Sequence, residues 1–153
     1  MNGLNKRGFT LIELVVTVMI ISILVGLAIP LARNSIKRQR EVELREDLRL
    51  MRTAIDKYKD LSDRGFIMVK VDTEGYPETL QTLVDGVQLV GQVDKKVKLL
   101  RKVPIDPMTN TAEWGQRSYQ DDAKATSWGG QNVFEVYSKS EGTAFDGTKY
   151  KEW

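Results

Sequence analysis

One carboxylate, Glu13, sits inside an otherwise uncharged, largely apolar run covering residues 9–32. A carboxylate placed in hydrocarbon is costly, so an acid there is expected to meet a specific cationic partner. Lys6, Arg7 and Gly8 stand just before the run. Its other polar side chains, Thr10, Thr17 and Ser22, are of types that hydrogen-bond a preceding helical carbonyl. Elsewhere the residue types offer little for catalysis. The chain has no cysteine and no histidine. Thiolate nucleophiles, disulfides and cysteine zinc sites are therefore excluded, and the side chain most used for proton transfer near neutral pH is missing. A bound metal must be held by oxygen, which points to calcium or magnesium. Glu141 and Asp146 are too generic to form a catalytic pair, and no phosphate-binding glycine loop occurs. Trp114, Trp128, Trp153, Tyr119 and Tyr150 read as core or loop-packing residues. The composition thus points away from an enzyme.

Charge argues against nucleic acid as a partner. The 153 residues carry 23 basic and 21 acidic side chains. Without Lys6 and Arg7 the two signs balance, and the basic excess of a nucleic-acid binder is missing.

Positioning Glu13 falls to the element that contains it. A helix of about 20 apolar residues crosses the hydrocarbon core of a bilayer, so residues 9–32 read as a transmembrane helix. Basic residues flank it on both sides, with Arg33, Lys37, Arg38 and Arg40 following. A cleaved secretory signal fits poorly, because its apolar region is about 7–15 residues and ends at a small-x-small site. Gly26 permits close helix approach. Pro30 lacks a backbone donor and is expected to kink or locally melt the helix. From 33 to 60 the pattern turns amphipathic. Ile36, Leu44, Leu48, Met51, Ile55 and Tyr58 fall at helical spacing and form one stripe. Glu41 and Arg45 are spaced as an i,i+4 pair. One helix is therefore expected from Phe9 to about Asp60, with Gly65 as its stop.

Residues 61–153 form the head. Residues 66–71 suggest a short strand or extended loop, and 77–84 a short helix opened by Pro77. Leu99 and Leu100 are expected to be buried. Asp106-Pro107 and Asn110 mark a turn, and 133–138 is the clearest strand by alternation. The fold class is α+β: a long N-terminal helix, transmembrane in its first half and amphipathic in its second, packed on a small head with a short antiparallel sheet.

Lys6-Arg7-Gly8-Phe9-Thr10-Leu11-Ile12-Glu13-Leu14 resembles the signal sequence of type IV pilins and type II secretion pseudopilins, and the likeness continues to Pro30. In the head, Gly75-Tyr76-Pro77, Pro104-x-Asp106-Pro107-x-x-Asn110 and Phe134-Glu135-Val136-Tyr137-Ser138 are most similar to the G-type major pseudopilin. Met108 stands where that family usually has tryptophan. The resemblance implies that residues 1–8 are a leader removed between Gly8 and Phe9 by a prepilin peptidase. Phe9 is then N-methylated. Glu13, Phe9 and Pro30 become assembly residues, and Glu13 pairs with the new amine of a neighbouring copy. It implies a homopolymeric filament with minor pseudopilins, an inner-membrane assembly platform and its ATPase complex. The subunit is expected to be single-pass in the inner membrane with its head in the periplasm. Its role is to help move folded proteins across the outer membrane, the alternative being a pilin or minor pilin for adhesion, motility or DNA uptake.

The same resemblance implies a calcium ion in the C-terminal loop. Ser138, Ser140, Glu141 and Asp146 are the residues here that approximate the family's ligand pattern, with one residue missing and Ser140 where a glycine is usual.

Overall fold

The computed structural model describes residues 8–91 and 96–153, the side chains of 27–31 excepted. Lys6, Arg7 and most of the expected leader therefore lie outside the described residues, as does the side chain of Pro30. Met1–Gln39 and Arg40–Trp153 form two units by their internal contacts.

Helix α1, Leu11–Asp63, enters both units. Its first turn is capped by Thr10, whose Oγ1 accepts the Glu13 N–H at 3.3 Å, while the Thr10 carbonyl accepts from Leu14 N. Threonine followed three residues later by glutamate is the sequence form of a capping box. Thr17 and Ser22 donate their hydroxyls to the Leu14 and Val18 carbonyls at 2.9 and 2.8 Å, so neither leaves an open donor on the apolar surface. Of the two outcomes expected at Pro30, a kink or local melting, melting does not occur: α1 stays helical through that position. The reason is local. A proline removes a single donor, so the helix can run past it with one bond fewer.

In the second unit the stripe on α1 is the floor of the core. Leu44, Leu48, Met51, Ile55 and Tyr58 are buried, joined by Ala54. Each such large side chain contributes about 1.5–3 kcal/mol on leaving water. Ile36 was expected on the same stripe but is 55% exposed; it belongs to the first unit, where spacing supplies the face but no packing surface. The helix ends in a Schellman arrangement. Gly65 N donates to the Ser62 carbonyl and Phe66 N to that of Leu61, with Gly65 at φ 71°.

The remaining elements are short. Residues 66–71 are extended only in part: Ile67 bridges Leu89, and a 3-10 turn follows at Val71–Thr73. Helix α2 is Leu80–Asp85, not 77–84, because Thr79 is its cap and accepts the Thr82 N–H. Pro77 stays outside the helix, and its carbonyl accepts from Val133 N at 2.7 Å. Strands β1 (Val87–Gln88) and β2 (Lys96–Val97) pair antiparallel, as do β3 (Gly115–Arg117) and β4 (Glu135–Tyr137). The α+β class is thus realised with two small antiparallel ladders. Leu83, Leu100, Trp114, Val133, Val136 and Tyr150 close the core over α1. Leu99 is only partly buried, yet its N–H and that of Leu100 both reach the Leu83 carbonyl at 3.0 Å.

Candidate functional site

Two regions hold the residues singled out in the sequence. The first is the opening of α1. Every residue from 8 to 26 is exposed, including Gly8, Phe9 and Glu13. Glu13 lies in the first helical turn, where the positive end of the helix dipole favours a carboxylate. Among the described residues no helix is long and apolar enough to cross a membrane. This region therefore presents a bare apolar surface carrying one negative charge near its end.

The second region is the segment after β4, together with what it rests on. Glu41 of α1 is only 6% exposed. Its Oε1 accepts the Tyr150 hydroxyl at 2.9 Å and the Phe145 N–H at 3.1 Å. Burial, the hydrogen bond to Glu41 and the charges of Glu41 and Asp146 push the Tyr150 phenol up to about 12. Asp106 is fully buried in the proline turn. Its carboxylate accepts the Met108 N–H at 2.7 Å and the Ser138 hydroxyl at 2.6 Å. Asn110, at φ 56°, closes that turn by donating to the Asp106 carbonyl. The two head motifs noted in the sequence, the proline turn and the strand leading to Ser138, thus meet at one buried hydrogen bond.

The loop itself is a tight hairpin. Ala144 N donates to the Thr148 carbonyl and Gly147 N to that of Ala144, with Gly147 at φ 88°. This is the three-residue turn with a left-handed glycine that closes many hairpins. Asp146 Oδ1 accepts both the N–H and hydroxyl of Thr148, at 2.9 and 2.6 Å. Trp153 stacks edge-on to Tyr150 and lies under the Arg45 guanidinium. Arg52 donates to Glu135 Oε1 at 2.7 Å and also to the carbonyls of Val136 and Trp153.

Residues 3–29 match the model of the prokaryotic N-terminal methylation motif. Over 139 residues the chain is 30% identical to the type II secretion system core protein G of Pseudomonas aeruginosa, an alignment covering 88% of this chain and 82% of that one. The chain belongs to the type II secretion core protein G family. The core protein G of Escherichia coli is 27% identical over 111 residues, 69% of each chain. No solved structure matches significantly.

Within this pseudopilin the methylation motif spans Gly8, Phe9 and Glu13. The four residues expected around calcium do not converge on one open position. Ser138 turns inward to Asp106, and Ser140 Oγ accepts the Gly142 N–H at 3.3 Å. Glu141 pairs with Lys151 at 3.0 Å and Asp146 with Arg45 at 3.3 Å. Among the described residues no group of three or more acidic side chains is placed to hold a metal. Each of the four side chains is thus engaged with other protein groups.

Sequence reasoning missed Thr10, Glu41 and Asp106 as positioning residues. Thr10 was findable from its spacing to Glu13. Glu41 reads as an ordinary charge on a helix face, and nothing local marks its partner 109 residues away.

Proposed function

We propose that this chain is a structural subunit of a type II secretion pseudopilus, without catalytic activity, polymerising through the first part of α1. The exposed apolar surface of residues 9–26, bearing the single carboxylate of Glu13, carries this reading. A prepilin peptidase removes residues 1–8, and the freed amine of Phe9 is methylated. The subunit waits in the inner membrane as a single-pass protein, anchored by the run 9–32, with its head in the periplasm. The assembly platform and its ATPase complex then draw it into a filament with further copies and minor pseudopilins. That filament helps move folded proteins across the outer membrane.

The charge chemistry explains how assembly keeps register. Moving an apolar helix from lipid into a helical bundle gains little hydrophobic free energy, so close packing and polar pairing must select the arrangement. An amine at Phe9 and the Glu13 carboxylate of an adjacent copy neutralise each other. A subunit slipped along the bundle leaves both charges unpaired in an apolar setting, a costly state.

Mass spectrometry of the protein from its native host tests the first step. The expected mass lacks residues 1–8 and carries one added methyl at Phe9; an intact N-terminus refutes the processing. Glu13→Ala is expected to insert normally and to block filament formation. Filaments of unchanged yield from that variant overturn the pairing mechanism.

A further inference from the structure

Calcium takes about 6–8 oxygen ligands from carboxylates, carbonyls and waters. In the segment 138–153 the two carboxylates expected at the ion, Glu141 and Asp146, already face cations. Lys151 Nζ lies 3.0 Å from Glu141 Oε2, and the Arg45 guanidinium 3.3 Å from Asp146 Oδ2. A divalent ion at either carboxylate meets the like charge of the cation already paired there. The Glu141 carboxyl is held below its usual range by the hydrogen bond and charge of Lys151. The Asp146 carboxyl is held low by the Thr148 hydroxyl and N–H, with Arg45 adding to it.

These exposed pairs contribute little to stability by themselves. The segment is fixed from below. Glu41 takes Tyr150 and the Phe145 N–H, and Asp106 takes Ser138. The Tyr150 ring also closes against Gly142, where an added Cβ would lie 2.8 Å from the ring. A hairpin turn with Gly147 supplies the Asp-Gly pair that otherwise suggests a cation loop. Every side-chain oxygen expected to bind the ion thus belongs to a residue engaged in a different structural task.

We infer that the C-terminal loop of this pseudopilin closes without calcium, held by Glu41 and Asp106 underneath, while Lys151 and Arg45 occupy the carboxylates of Glu141 and Asp146. Protein donors and cations here replace the ion that the family resemblance leads one to expect. The inference concerns the single subunit and stands apart from filament assembly.

The test uses the full chain, unassembled, in detergent micelles. Its thermal midpoint is followed by the near-ultraviolet circular dichroism of its tryptophans, in chelator and in millimolar calcium chloride. The expected midpoints coincide, and calorimetric titration with calcium chloride shows no saturable heat. A saturable rise in midpoint, or stoichiometric binding, overturns the inference. Tyr150→Phe gives a second arm: its midpoint is expected to fall equally in both buffers. Restoration of that variant by calcium alone would show that the ion does share in closing the loop. Because no filament forms in this experiment, a failed assembly mechanism leaves its outcome unaffected.

Discussion

The hydroxyl of Tyr150 donates to the buried carboxylate of Glu41 at 2.9 Å, joining the end of the chain to α1 across 109 residues. Glu41 also holds the Phe145 N–H, so one carboxylate fixes both the hairpin and the final turn of the chain. Tyr150→Phe removes one donor from a buried charged acceptor while keeping the ring in place. A hydrogen bond to a charged group contributes about 1.5–3 kcal/mol, and the variant is expected to lose an amount in that range. Urea unfolding measures it, with an unchanged m-value showing that compactness is retained.

The same pair sets an alkaline limit. The Tyr150 phenol is raised from its ordinary value near 10 to about 12 by burial and by Glu41. The unfolded chain therefore loses this proton at lower pH than the folded chain does. Between those two values the unfolded state binds fewer protons, so stability falls as pH rises, while below 10 this contribution is fully present. Unfolding free energy measured from pH 9 to pH 12 is expected to drop more steeply for the wild type than for Tyr150→Phe. Parallel curves would contradict the coupling.

Gly115 marks a close approach. A Cβ built there falls 2.3 Å from the ring of Tyr137, its antiparallel partner, and that ring is capped by Arg117 at 4.1 Å. The ring cannot swing freely, so Gly115→Ala must shift the ladder. Overpacking of this kind costs about 1–3 kcal/mol. Loss of midpoint in chemical denaturation, with amide-exchange protection lost first at β3 and β4, is the expected signature.

Gly147 tests conformation without contact. Its φ is 88°, yet an added Cβ meets nothing within 4 Å. Gly147→Ala therefore probes backbone strain alone, about 1–2 kcal/mol for an L-residue held left-handed. The thermal midpoint is expected to fall, whereas Asp146→Gly, which keeps a flexible turn but removes the acceptor for Thr148, is expected to loosen the hairpin by a different route. Amide exchange at Thr148 distinguishes the two.

A cavity test addresses the floor of the head. Leu48 is nearly fully buried on the α1 stripe. Leu48→Ala is expected to cost about 2–5 kcal/mol, and a change below 1 kcal/mol in urea unfolding would place the core elsewhere.

Local rules read from the residues reach some of these features. Spacing of Leu44, Leu48, Met51, Ile55 and Tyr58 fixed the buried face of α1, because helical period needs no knowledge of the partner. Gly65 ended the helix through its own backbone freedom. The run around Glu13, with Gly8 and Phe9, marked the segment that matches the N-terminal methylation motif, since an acid among apolar residues is unusual wherever it folds. The remaining features follow from packing. It left Ile36 exposed, moved the start of α2 to the Thr79 cap, and built β1, β2 and β3 from segments too short to show a period. It also turned Glu41 and Asp106 inward and gave Glu141 and Asp146 to Lys151 and Arg45. A charged side chain has the same appearance in a sequence whether it faces water or a partner. The pairing that settles its role is made by residues brought together from distant parts of the chain, and that is a property of packing.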